Sequence, residues 1–359
     1  MKTYICSVIT TQLSLLTLII LVTKNKALQK ANKTGFIVAS FMIMVCAFTE
    51  CLGALLDGSN SVLRVPHMIV KYLELCLTPC VPLVLASVFP SVRYRKFFYI
   101  PDLFHILLQT FSLFFGFIFY IDDQNIYRHG KLYWIYFVFV FINIAFISFT
   151  TVKFGAKLQN RNHTSLFMIL LFILAGTVFQ VIDSNIKIVW LTVAIGTILF
   201  YIYYCNMVYQ VDYLTLLLNR RAYDIHKLSL KSKAYILVLD VNDFKNINDI
   251  YGHIAGDLCL KSIAAAMKAV YGKHGLCYRT GGDEFCIILD RKLHFCNVEK
   301  LNKDFKSRIS EKKDNNVISS SIAIGYALFE PGKAQISDVA KKADELMYLD
   351  KNQAKKYSN

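Results

Sequence analysis

The stretch Tyr278-Arg279-Thr280-Gly281-Gly282-Asp283-Glu284-Phe285 places two glycines directly before two carboxylates. Glycine lets a backbone approach a bulky anion, and neighbouring carboxylates hold the divalent cations that such an anion carries. Another acid, Asp240, stands near the end of the apolar run 234–241, and Asp243-Phe244-Lys245, Asn248-Asp249 and Gly252-His253-Ile254-Ala255-Gly256-Asp257 follow it. Side by side, Asp240, Asp283 and a free backbone carbonyl would form an oxygen-rich, incomplete cage. Magnesium accepts such a cage when phosphates supply its remaining ligands. The alternatives are that Asp240 caps the following helix and Asp283 is an ordinary turn acid.

These residues need particular elements to bring them together. The run 234–241 is apolar almost throughout, as expected of a strand buried on both faces. Leu276-Cys277-Tyr278 and Cys286-Ile287-Ile288-Leu289 read as short strands that make a hairpin with an acidic tip. A helix is predicted from near Phe244 and a longer one up to about Val270, which Asp257 could cap. Asn248 could form a local turn, and His253, with no second ligand nearby, reads as structural. Lys351 and Lys355 lie four apart on one face of a terminal helix, either on a phosphate or on a solvated face.

In this order the motifs resemble those of the GGDEF-domain diguanylate cyclases, which join two GTP molecules into cyclic di-GMP. The likeness runs from about residue 208 to 359. Asp212-Tyr213-Leu214-Thr215 with Asn219-Arg220-Arg221 looks like the opening DxLTGLxNRR, with Leu216 where glycine is usual. Asp240 to Asp249 looks like DxDxFKxxND with Asn242 for the second acid, and Gly252 to Asp257 looks like GHxxGD. Gly281 to Phe285 is similar to the signature itself, and Ala343-Asp344 to Lys355 resembles the closing ADxALYxAKxxGR, with Ala354 and Lys355 for Gly and Arg. Ala323 stands where serine is frequent. An inhibitory RxxD pair of many relatives falls on Gly272 and Gly275, so product feedback is expected to be absent.

The resemblance implies an α/β, nucleotide-cyclase-like domain with a central mixed or antiparallel sheet flanked by helices. It implies that Asp240, the carbonyl of Val241, Asp283 and Glu284 hold two magnesium ions per half-site, with manganese as an alternative. Asp283 or Glu284 would help activate the ribose 3′-hydroxyl. Asn248 and Asp257 would read guanine, and an acid facing the base's N–H donors favours GTP over ATP. Gly281, Gly282, the amides around Phe244 and Lys245, and the ammonium groups of Lys351 and Lys355 would meet the phosphates. Two such domains must face each other, so a homodimer is implied. The alternative is a degenerate domain that binds GTP without turning it over, as a receptor or recruitment module.

The rest of the chain is of another kind. Of 359 residues 55% are apolar and the mean hydropathy is +0.43, too high for a soluble enzyme. The excess lies in apolar runs at about 5–23, 36–57, 67–89, 98–120, 132–151, 164–182 and 187–207, each long enough to cross a bilayer. The expectation is an all-α bundle of about seven helices over residues 1–207 and the cyclase over 208–359. Lysine and arginine gather in the odd loops (Lys24, Lys26, Lys30 and Lys33; Arg93, Arg95 and Lys96; Lys153, Lys157 and Arg161). That puts the N-terminus outside and the cyclase in the cytoplasm. A cleaved signal peptide is the alternative for the first run, but no small-residue cleavage site follows it. The arrangement resembles the membrane input regions of bacterial histidine kinases and cyclases, which implies a multi-pass protein of the bacterial cell membrane.

The net charge of +15 divides as +9 before residue 208 and +6 after it, and the first share reads as topology signal and contact with lipid headgroups. No basic stripe interleaved with aromatics marks a nucleic-acid partner. The ten cysteines contain no CxxC pair and read as small buried hydrophobes. Glu50, Glu74, Gln180 and Asp183 fall inside or beside apolar runs, with Pro79 and Pro82 near Glu74. They suggest a pocket for a small ligand or ion, or else hydrogen bonds between helices. About five residues separate the last span from Asp212, too few for a relay domain.

Overall fold

Away from water a backbone can satisfy its polar groups only within its own segment, and the long apolar runs accordingly fold as helices. The computed structural model describes residues 2–93, 96–159, 163–183, 187–290, 295–310 and 321–356. They divide into one unit of Met1–Lys157 and Arg161–Cys205, and a second of Leu158–Asn160 and Asn206–Asn359.

The first unit contains α1 (Lys2–Lys24), α2 (Lys30–Leu56), α3 (Arg64–Ala86), the short α4 (Pro90–Arg93), α5 (Ile100–Phe115), α6 (Trp134–Lys157), α7 (Thr164–Ile182) and α8 (Val189–Tyr209) as far as Cys205. Among the described residues six stretches are long and apolar enough to cross a membrane, and α7 adds a shorter apolar core, Thr164–Gln180. The fourth run is shorter than expected. Its helix stops at Gly116, and Phe119–Ile121 (β1) pairs antiparallel with Tyr127–His129 (β2). Apolar content alone did not separate that strand from the helix before it. The last helix runs on to Tyr209, so only Gln210 and Val211 precede Asp212.

Glu50 and Glu74 find partners among the helices. Gln180 Nε2 donates to Glu50 Oε1 at 3.1 Å, and Glu74 pairs with Lys71 at 2.9 Å. Lys71, itself in the third run, was not singled out by the sequence reading. Arg95 and Arg161 lie outside the described residues.

The second unit is built on β3 (Leu218–Asn219), α9 (Arg220–Leu228), β4 (Ala234–Val241), α10 (Phe244–Tyr251), α11 (His253–Tyr271), β5 (Gly275–Arg279), β6 (Glu284–Asp290), α12 (Phe295–Ser310), β7 (Ile322–Phe329) and α13 (Ile336–Lys356). The sheet order is β3-β5-β6-β4-β7, antiparallel except for the β3–β5 pair. In β4, Tyr235, Leu237, Leu239 and Val241 pack with Met267 and Phe305 of α11 and α12. Ala234 and Ile236 pack with Tyr223 of α9 and Ala343 of α13. Helices on both faces explain why β4 is apolar throughout. The alternation also assigns Asp240, an even position, to the α13 side.

The opening segment folds as a tight turn in which Leu216 N–H donates to Asp212 O and Asp212 N–H to Leu217 O. Leu216 sits there at φ 57°, the left-handed region where a side chain costs about 1–2 kcal/mol. That accounts for the glycine usual at this position. Leu216 is 42% exposed, so little packing offsets the strain. Leu216→Gly is therefore expected to raise the unfolding midpoint by about 2–4 °C in a thermal melt; an unchanged or lower midpoint would contradict the strain.

Candidate active site

The acidic hairpin and the end of β4 meet on adjacent rungs of one ladder. Asp240 pairs in register with Glu284, and one step on Val241 N–H donates to Asp283 O at 3.3 Å. Directly opposed residues hold their Cβ atoms about 5 Å apart. Residues 42 and 44 positions apart in the chain thus become neighbours.

Asp240 is 9% exposed, and it does not cap α10. Its carboxylate instead accepts from Lys351 Nζ of α13. The backbone of β7 makes that contact reachable. A Cβ on Gly325 would lie 2.0 Å from Ala343 O and 2.1 Å from Met347 N, so only glycine lets α13 rest on the strand. Lys351 then lies one turn beyond Met347. Lys355 lies in the last turn of α13, and its side chain is outside the described residues.

The chain leaves β4 through Asp243, whose left-handed φ of 53° turns it directly into α10 with no side-chain cap. The first helical amides, at Phe244 and Lys245, have no intrahelical partner and carry the positive end of the helix dipole. Asn248 lies on α10 and Asp257 on α11, and the two helices touch at Gly256. A Cβ there would stand 2.0 Å from Asn248 Oδ1. Asp257 lies inside α11, which starts at His253, so it is no cap; its side chain is exposed, as is that of His253. Asn242 is structural: its Nδ2 donates to Ser321 Oγ at 2.9 Å and its N–H to Ser321 O at 3.0 Å.

One residue that holds the acidic turn escaped the sequence reading. Arg279 donates from Nη2 and Nε to Gly282 O at 2.8 and 3.2 Å, and from Nη1 to Asp212 Oδ1 at 3.1 Å. It fastens the acidic turn to the opening segment. Asp212 also accepts from Thr215 N–H and Oγ1 at 2.9 and 2.6 Å. Partial burial opposes its charge, but the Thr215 hydrogen bonds and the Arg279 guanidinium together hold its carboxyl below the ordinary carboxylate range. The pair's stabilising effect is thus complete above that range and fades as pH falls through the lowered value. Within the same unit, Asn219 Nδ2 donates to Tyr209 O at 2.7 Å. The available signal was place alone: Asp212 opens one motif and Arg279 stands just before another.

Among the described residues no three His, Cys, Asp or Glu side chains converge as a complete metal cage. Carboxylates at Asp240, Asp283 and Glu284 with the Val241 carbonyl are hard oxygen donors, and the ammonium group on Asp240 shows that this position accepts a cation. The donor set fits magnesium completed by phosphate oxygens.

Residues 209–357 match the family described as diguanylate cyclase, GGDEF domain. An uncharacterized membrane protein of Staphylococcus saprophyticus is 32% identical over 160 residues, covering 41% of this chain and 44% of that protein. One from Staphylococcus aureus is 30% identical over 159 residues with the same coverage. The match thus spans less than half the length of these curated relatives. Among solved structures, the coiled coil and GGDEF domain of DgcB from Caulobacter crescentus, in complex with c-di-GMP, is 23% identical with a TM-score of 0.41 over 45% of this chain and 91% of that one. The GGDEF domain of PA1120 from Pseudomonas aeruginosa is 28% identical with a TM-score of 0.35 over 40% and 89%.

Proposed function

We propose, from the premise that residues 209–357 are a GGDEF domain, that this protein condenses two GTP molecules into cyclic di-GMP and two pyrophosphates. The observation that supports it is the meeting of Asp240 and Val241 with Asp283 and Glu284 on neighbouring rungs, beside a lysine from a third element. Asp240, Asp283, Glu284 and the Val241 carbonyl would hold two magnesium ions, which when bound neutralise the triphosphate and the leaving pyrophosphate. The amides of Phe244 and Lys245, the turn Gly281-Gly282 and the ammonium groups of Lys351 and Lys355 would hold the phosphates. Asn248 and Asp257 would read guanine. Asp283 or Glu284 would take the proton as the 3′-oxygen of one GTP attacks the α-phosphorus of the other. Each attack breaks one bond to pyrophosphate, and the two attacks require a face-to-face homodimer to give in-line geometry.

The N-terminal helices would place this enzyme in a bacterial cell membrane, N-terminus outside and cyclase in the cytoplasm, with the boundary at residues 207–208. Rearrangement of the helices would then control the cyclase, since only Gln210 and Val211 lie between α8 and Asp212. Purified full-length protein in lipid vesicles, given GTP and magnesium, is expected to yield cyclic di-GMP by mass spectrometry. GTP binding with no product would instead favour the receptor reading, to which Lys351 closing on Asp240 lends its one support.

Gly272 and Gly275 carry no side chains with which to hold a product molecule. Turnover is therefore expected to stay constant when cyclic di-GMP is added at the start of the assay. A several-fold drop would reveal an inhibitory site elsewhere.

A further inference from the structure

In the first unit α5 is polar where it should be oily. Asp102, His105, Gln109 and Ser112, at helical spacing i, i+3, i+7 and i+10, are at most 5% exposed, while Leu103, Phe104, Leu107 and Phe111 on its other face are 49–59% exposed. The stripe faces a break in α3. Pro79 has no N–H, so the carbonyl four residues earlier, that of Leu75, loses its helical partner. His105 Nε2 takes that place at 3.0 Å. The nitrogen facing a carbonyl must carry the ring hydrogen, so in the neutral ring Nδ1 is a bare lone pair. Among the described residues Nδ1 has no partner, and neither has Gln109 Oε1. Asp102 Oδ1 accepts from Asn143 Nδ2 of α6 at 2.6 Å, and that same amide donates to Pro79 O at 2.8 Å.

The cluster is thus rich in acceptors and short of one positive hydrogen. The titratable groups that face it are the Cys76 and Cys80 thiols and the Tyr72 phenol of α3, the Cys80 thiol donating to Cys76 O at 3.3 Å, and the Tyr136 phenol of α6, with its ring centre 6.3 Å from that of His105. The charged pair on α3, Lys71 with Glu74, is already matched. Among the described residues no lysine or arginine pairs with Asp102. A lone carboxylate in a low-dielectric interior is costly, and a proton is the smallest remedy. The stripe also ends at a cleft. Ser112, at the far end of the stripe, lines a cleft of about 390 Å³ with Arg64, Met68, Phe115, Tyr120 and Ile121. Arg64 at that cleft is paired with Asp123. The ten residues from Ser112 to Asp102 span about 15 Å of helix.

We propose that Asp102 and His105 form a proton-binding site inside the membrane bundle, filled from the cleft above Ser112. Hydronium in the cleft gives up its proton to the Asp102 carboxylate, one turn from the His105 ring, and leaves as water. No other bond changes. The site goes beyond the cyclase reading and does not depend on it.

Difference infrared spectroscopy of the full-length protein in lipid vesicles tests it as pH is stepped from about 8 to about 5, the range in which imidazoles change charge. The expected result is a carbonyl band of a protonated carboxyl that grows as pH falls, is lost in Asp102→Asn, and shifts its midpoint by about one pH unit or more in His105→Gln. Should Asp102→Asn fail to fold, the His105→Gln midpoint decides, since glutamine can still donate to Leu75 O. A band untouched by both substitutions, or no titrating band, overturns the proposal. Exchanging sodium for choline at fixed pH should leave the band unchanged, and a band that follows sodium overturns it too. No GTP enters the measurement, so an inactive cyclase and an absent proton site give different results.

Discussion

Asp283→Asn is expected to reduce cyclic di-GMP formation about 1,000-fold or more and to leave the fold intact. The ladder contact at this position uses the Asp283 carbonyl, which accepts from Val241 N–H, so the amide side chain disturbs no backbone bond. What is lost is one of the few negative oxygens available to a divalent cation. Metal stabilisation of phosphoryl-transfer charge amounts to several kcal/mol, and about 4 kcal/mol corresponds to a thousandfold in rate. Product formation by mass spectrometry, with a thermal melt on the same preparation, checks both halves. Asp240→Asn should be equally inactive but also less stable, because it strands the Lys351 ammonium, whose side chain is only 25% exposed. Asp283→Asn turnover within tenfold of the native rate would remove this residue from the metal site.

Arg279→Ala should lower turnover by about 10- to 100-fold with a much smaller effect on GTP affinity. Its guanidinium makes two charge-assisted hydrogen bonds to the carbonyl just before Asp283, each worth about 1.5–3 kcal/mol. It is also ion-paired to Asp212, with the two side chains 14% and 17% exposed. Without it the Gly281-Gly282 turn loses its anchor, and displacement of a catalytic group by about 1 Å costs about a hundredfold. Arg279→Lys keeps the charge but not the fork, so it should recover only part of the rate. Comparing kcat with the affinity for a non-hydrolysable GTP analogue separates the cases. Equal loss in both would assign Arg279 to binding rather than to positioning.

The acidic hairpin and β4 were legible because buried strands write themselves as apolar runs, and the acids sit where those runs stop. Their register follows from pleat and pairing, so Asp240 beside Glu284 was foreseeable in kind if not by residue. Lys351 was found through motif likeness and assigned to phosphate, whereas the structure shows it on Asp240. The reason, a glycine under α13 at position 325, is a matter of shape that no periodicity records. Arg279 with Asp212, 67 residues apart, left no pattern because an ion pair has no period. In the first unit the sequence reading weighed Glu50 and Glu74, which pair off, and passed over Asp102, His105, Gln109 and Ser112. Their helical spacing was visible, but a run of mostly Leu and Phe masks four polar residues when only its mean is considered.

Lys351 gives the acidic end of β4 a counter-ion of its own. A cluster of acids at a strand end would otherwise repel one another until metal arrived, and folding would wait on the ion, as it does in zinc fingers. Here the architecture is self-sufficient. On the proposed reading, chelation is expected to stop turnover without unmaking the domain, and an arriving nucleotide with its cations would release the ammonium group to turn from carboxylate to phosphate.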